Sequence, residues 1–179
     1  GFFGGAVSER FSNTAVETEG RLNNFTLREH FLTKLFTIRR FRDVKANPSA
    51  AALVDFQSRH KLQLMAYSQK EMKVLGQITA NSRHLPPCEQ VAEYELHLTA
   101  AMEKPARYSA NINVLMHALG YFSDELSSDE KRFFLNSLEE YRREQVPLSV
   151  PLKIMTGYIV RFGNEYLGQQ TFFAPFPPD

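Results

Sequence analysis

Asn111 to Phe122 reads NINVLMHALGYF, and the spacing of its apolar residues decides the fold class of the whole chain. On a helix, Ile112, Leu115, Leu119 and Phe122 form one stripe, while Val114, Met116, Ala118 and Tyr121 cover most of the rest. A helix that is apolar nearly all round belongs inside a protein, so the segment is expected at the centre of a helical domain. Asn113 and His117 sit one turn apart on it, and Tyr121 follows at the next four-residue step. Buried there, each polar group needs a partner. Two roles suit such a row: a hydrogen-bonded network that fixes how helices dock, or the wall of a pocket for a polar small molecule.

Outward from that helix, recurrence at three- and four-residue steps predicts helices over 26–44, 49–67, 71–81 and 88–103, with the third an optional continuation of the second. A short helix is expected over 2–11 and a polar, extended stretch over 12–24. Asn47-Pro48-Ser49, Pro86-Pro87 and Pro105 punctuate the pattern. Ser127-Ser128-Asp129-Glu130 spells a capping box that opens a helix burying Phe134, Leu138 and Tyr141. Pro147 and Pro151 predict a rigid extended link, Ser149 a cap, and Gly163 the end of the helix that follows. After a last turn at 165–170, Phe172, Phe173 and Phe176 among three prolines predict an extended tail laid over the domain. Strand alternation is sustained nowhere, so the fold expected is all-α, an irregular or orthogonal multi-helix bundle.

Composition narrows the function. The chain has 179 residues, 43% apolar and 23% charged, which suits one domain with a proper core, or one domain plus a fragment. A net charge of +1 supplies no general attraction to nucleic acid or anionic membrane. No apolar run approaches the roughly 20 residues of a membrane span, and a single cysteine, Cys88, allows neither an internal disulfide nor a cysteine-built metal centre. A cytoplasmic setting is expected. The abrupt apolar start at Gly1-Phe2-Phe3 is expected of a piece of a longer protein whose upstream part holds further chemistry. His30, His60, His84, His97 and His117 show no metal-ligand spacing, and neither a nucleophile elbow nor a phosphate-cradling glycine loop is present. These points argue against a cofactor-dependent enzyme.

Three further groups stand out. His60 lies on the apolar stripe of its helix beside Lys61; it suits either a satisfied core histidine or a ligand contact with Lys61 meeting an anion. Arg39, Arg40, Arg42 and Lys45, with Arg28 and Lys34, make the 28–45 helix locally basic, and Phe36 and Phe41 interleave. That pattern suits RNA, or else a solvated helix end whose cations favour the negative pole of the dipole. Residues 124–145 are acidic, a hydrated face or a surface that docks on the basic helix of another copy.

From His60-Lys61-Leu62 to the final prolines the chain resembles the YbgA-like domain of bacterial proteins, a family of unknown function. The blocks that carry the likeness are HKLQLMAYS at 60–68, NVLMHALGYF at 113–122, Tyr141-Arg142 with Val146-Pro147-Leu148, Val150-Pro151-Leu152, and YLGQQTFFAPFP at 166–177. The stretch ERFSNTAVETEGRLNNFTLREHF at 9–31 is similar to the tail of the domain that precedes YbgA-like domains in two-domain proteins. That domain is related to thiouracil desulfidases, which hold a 4Fe–4S cluster on cysteines that are absent here. The resemblance therefore implies a division into 1–45, the tail of an upstream unit, and 46–179, the YbgA-like helical domain. It implies an accessory, non-catalytic role: positioning a substrate such as a thiolated base for the upstream unit, or contacting a partner. The alternative is a cofactor-free small-molecule-binding protein or enzyme that uses His60, Lys61, Asn113, His117, Tyr121 and Arg142. RNA binding through Arg39, Arg40, Arg42 and Lys45 is the third reading, and a homo-oligomer is compatible with all three.

Overall fold

The periodicity resolves into nine α-helices among residues 15–81 and 84–177, the part of the chain that the computed structural model describes. In chain order they are α1 (Glu19–Leu22), α2 (Phe25–Ala46), α3 (Ala50–Tyr67), α4 (Gln69–Ala80), α5 (Pro87–Ala101), α6 (Tyr108–Gly120), α7 (Ser128–Arg142), α8 (Ser149–Phe162) and α9 (Glu165–Gly168). No strand occurs among the described residues, so the fold is all-α. None of these helices is long and apolar enough to cross a membrane. The short helix expected over 2–11 lies outside the described residues.

Most boundaries follow from local chemistry. The side chains of Asn24, Ser49, Ser68 and Asn164 each accept a hydrogen bond from a backbone amide of the helix they open. The capping box at Ser127 and Glu130 is complete in both directions. Gly163 ends α8 at φ 64°, a left-handed conformation that favours glycine. Four local expectations need correction. A short helix, α1, interrupts the stretch expected to be extended over 12–24. Helix α4 does not continue α3, because extended Ser68 (φ −157°, ψ 104°) closes one and caps the other. Ser149 is already helical, with Pro151 in the first turn, and its side chain caps nothing. The tail from Thr171 to Phe176 runs as turns and bends rather than an extended strap, although Phe172 is buried as anticipated.

Two apolar clusters share one helix. Val114, Leu115, Ala118, Phe134, Met155 and Leu167 centre the first; Phe41, Leu53, Phe56, Leu75, Tyr94 and Leu98 centre the second. Helix α3 enters both, giving Leu62 and Ala66 to the first and Leu53, Phe56 and Leu64 to the second, and it touches α2, α4, α5 and α6. The middle of the molecule is thus α3, not the 111–122 segment. Helix α6 buries only the side bearing Asn111, Val114, Leu115, Ala118 and Leu119. Met116 is 45% and Tyr121 41% exposed, and Asn113 and His117 also face solvent. Single apolar residues on a surface are commonplace, which is why a nearly all-apolar helix overstated its burial.

The two outermost blocks of the family-like region meet on α3. The Gln170 carboxamide accepts from the Leu62 amide at 3.1 Å and donates to the Ser58 carbonyl at 2.9 Å, the two groups an α-helix would pair with each other. Thr171 adds a bond from its amide to the Arg59 carbonyl at 2.9 Å. Phe41 and Val44 of α2 pack in the cluster of Phe56 and Tyr94, so α2 is seated on the helices that follow it.

Candidate functional site

Two proline-bearing links help to line a large cleft. Pro105 and Pro147, which cannot continue a helix, lie in the links after α5 and α7 and line a cavity of about 440 Å³. Helix α2 closes one side with Phe25, Glu29, His30 and Thr33, and α3 supplies Gln63 and Tyr67. Asn111 of α6, Tyr108 at its start and Tyr141 of α7 stand opposite, and Phe172, Pro175 and Phe176 of the tail complete the wall. The tail is held there by Arg40, whose guanidinium donates to the Pro175 carbonyl at 2.7 Å.

The cleft is lined by aromatic rings interleaved with polar side chains, among them the carboxyls of Glu29 and Glu144. Rings of Tyr108 and Tyr141 lie 4.9 Å apart, tilted by 45°. Asn111 Nδ2 donates to the Tyr141 hydroxyl at 2.9 Å, and His30 Nδ1 lies 3.2 Å from the Tyr67 hydroxyl. Burial, with Lys34 adding to it, lowers the His30 pKa to about 4, so the ring is neutral near pH 7. Burial also moves the Glu29 carboxyl upward against the pull of Arg28, and pushes the Tyr141 phenol up to about 12 and the Tyr67 phenol further still. Gln63 is 1% exposed; its Nε2 donates to Thr37 Oγ1 at 2.6 Å, and its Oε1 is buried without a protein partner.

The residues singled out in the sequence lie elsewhere. His60 is 2% exposed and stacks on Phe56 with ring centroids 3.9 Å apart. Its Nδ1 donates to the Phe56 carbonyl at 2.8 Å, while Nε2 has no partner. Lys61 is exposed, and Arg142 turns to Glu139 at 2.7 Å. Asn113, His117 and Tyr121 form no buried network; His117 meets Tyr121 edge-on at 5.7 Å and Tyr121 stacks on Tyr166 at 5.6 Å. None of these six lines the cleft; His60 is buried against Phe56 while His117 faces solvent. The basic residues are largely engaged: Arg39 pairs with Asp43 at 2.6 Å, Lys45 with Glu95 at 2.7 Å, and Arg40 holds the tail. Exposed Arg42 lines a smaller cleft of about 200 Å³ with Lys34 and Lys45. The cleft-lining Gln63, Tyr67, Asn111 and Tyr141 had one readable signal: each stands within or beside a block of the family resemblance.

The chain belongs to the family described as "Protein of unknown function (DUF1722)", whose pattern matches residues 61–177, from the second half of α3 to the tail. Within that class it is similar to the "Uncharacterized protein YbgA" of Escherichia coli (strain K12), at 28% identity over 148 residues, covering 82% of this chain and 88% of the relative. No solved structure matches the chain.

Proposed function

We propose that this chain is a ligand-binding helical module that holds a small, planar, uncharged ring, such as a thiolated or ordinary pyrimidine base, for a neighbouring desulfidase-like unit. The observation that carries the reading is the cleft of about 440 Å³ lined by the rings of Tyr67, Tyr108 and Tyr141 with Gln63 and Asn111 among them. Cavities of this size hold ligands of base or nucleoside dimensions. A neutral imidazole and phenols held protonated by burial, beside the carboxyls of Glu29 and Glu144, disfavour an anionic guest. The accessory part of the reading draws on position: Phe25, Glu29, His30 and Thr33 come from the stretch or its direct continuation that is similar to the end of a desulfidase-like domain, and the other walls come from the family domain. A 4Fe–4S cluster does not fit this chain, since such clusters take several thiolates and Cys88 is the only cysteine.

Titration of the chain with uridine, 2-thiouridine and their free bases tests the reading. Tyr108→Ala removes a stacking face at the mouth and is expected to weaken binding about tenfold, in line with the worth of a base–aromatic stack. Unchanged affinity in that variant, or desulfuration by this chain alone, would count against the module and its accessory role respectively.

A second reading has its own support. Lys34 stands one turn beyond His30 on α2 and lines the smaller cleft with Arg42, Lys45 and Glu95, so a row of basic side chains, partly offset by Glu95, follows His30 along α2. A base presented on an RNA strand would place phosphates along it. Binding to a short RNA that is tighter than to the free nucleoside, and that weakens steeply with salt, is the expected result; a flat salt response excludes it.

A further inference from the structure

We propose that Glu29 selects the guest of the cleft: its carboxylate accepts from an exocyclic amino group, so rings of the cytosine type are preferred to their oxo counterparts. The inference rests on the reading of the cleft as a site for a planar ring and names the substituent that the protein recognises.

Helix α2 lends residues 25, 26, 29, 30 and 33 to the cleft, steps of three and four that share one helix face. Glu29 stands in the middle of that row, half-buried rather than sealed, so a guest in the cleft can reach it. Burial raises the pKa of Tyr67 and of Tyr141, and the Glu29 charge adds to both shifts. The carboxyl is therefore within electrostatic reach of phenols on α3 and on α7. It forms no hydrogen bond or ion pair among the described residues; Arg28, whose charge pulls on it, lies over the Phe25 ring at 5.4 Å. A half-buried anion without a partner is costly, and an N–H of the guest relieves the cost. Glu144, the other carboxyl of the lining, is exposed, where water and salt screen its charge.

Charge then decides between rings. An exocyclic amino group presents hydrogens to a carboxylate while its lone pair is drawn into the ring, and hydrogen bonds to an ionised acceptor are the strong ones. A carbonyl or thiocarbonyl in the same place sets one negative end against another. A uracil-type ring also has an N–H, but two such groups flank it and crowd the approach of a carboxylate. Selection thus combines attraction to one guest with repulsion of the other.

The test is calorimetric titration of the full chain with 2-thiocytidine and 2-thiouridine, repeated on Glu29→Gln and on Glu144→Gln. The wild type and Glu144→Gln are expected to bind the amino compound about tenfold more tightly than the oxo one. Glu29→Gln keeps the shape, but its carboxamide can turn to meet either substituent, so it is expected to bind the two alike. Equal binding by the wild type, or tighter binding of the oxo compound, overturns the inference while leaving the cleft as a ring site. A preference that survives Glu29→Gln, or one that Glu144→Gln abolishes, overturns it too. If neither compound binds, the ring-site reading falls and this inference with it.

Discussion

Two histidines are neutral by construction, and that sets how the protein responds to acid. Burial lowers the pKa of His60, as it does that of His30, to about 4 from an ordinary 6.5. Between those values the unfolded chain binds more protons than the folded one, so stability is full above pH 6.5 and is lost as pH falls toward 4. For fully buried His60 the loss is on the order of 3 kcal/mol. His60→Phe keeps a ring on Phe56 and removes the titration; urea unfolding across that range is expected to show a shallower fall than the wild type. His117 carries the opposite expectation. It faces solvent, so His117→Ala should move stability by less than about 0.5 kcal/mol and leave nucleoside affinity unchanged. A larger loss in either measurement would restore it as a network or site residue.

Among the elements, α7 is the best isolated test of local control. Its capping box satisfies orphan amides with Ser127 and Glu130, and Arg161 of α8 reaches the same carboxylate. Ser127→Ala is expected to cost about 1 kcal/mol in thermal or denaturant unfolding. Removing Arg161 should cost less, since that pair is partly exposed and screened. Helix α6 carries the other lesson at this scale. Its existence and ends followed from spacing and from the break at Pro105, both local properties. Its buried side did not, because Asn111 and Asn113 are equally polar in the sequence, and only packing against α3, α7 and α8 turns the first inward to Tyr141.

At the scale of the whole molecule, α2 is both wall and core. It lends Phe41 and Val44 to the cluster of Phe56 and Tyr94, and Phe25, Glu29, His30 and Thr33 to the cleft. A fragment beginning at residue 46 would bare that cluster. Expression of 46–179 is expected to give an aggregating or dye-binding chain without a cooperative melt and without nucleoside affinity. A sharp melt near that of the full chain would instead show that 46–179 is a domain in its own right, as the family resemblance suggests.

What the sequence determined by itself was whatever a few neighbouring residues enforce: that the chain is helical, and where Ser49, Ser127, Pro105 and Gly163 start a helix or bar it from continuing. It also singled out blocks that contain residues of the cleft. Gln63 and Tyr67 follow His60 and Lys61 within one block, and Tyr141 precedes Arg142 in another. Which member of a block faces a cavity depends on how each helix is rolled, and that was decided only when distant segments met: Gln63 against Thr37, Asn111 against Tyr141, Gln170 against Leu62, Arg40 against Pro175. Those contacts join residues 26 to 135 positions apart. Side-chain direction and the loss of water are properties of the packed helices together, and no stretch of sequence holds them alone.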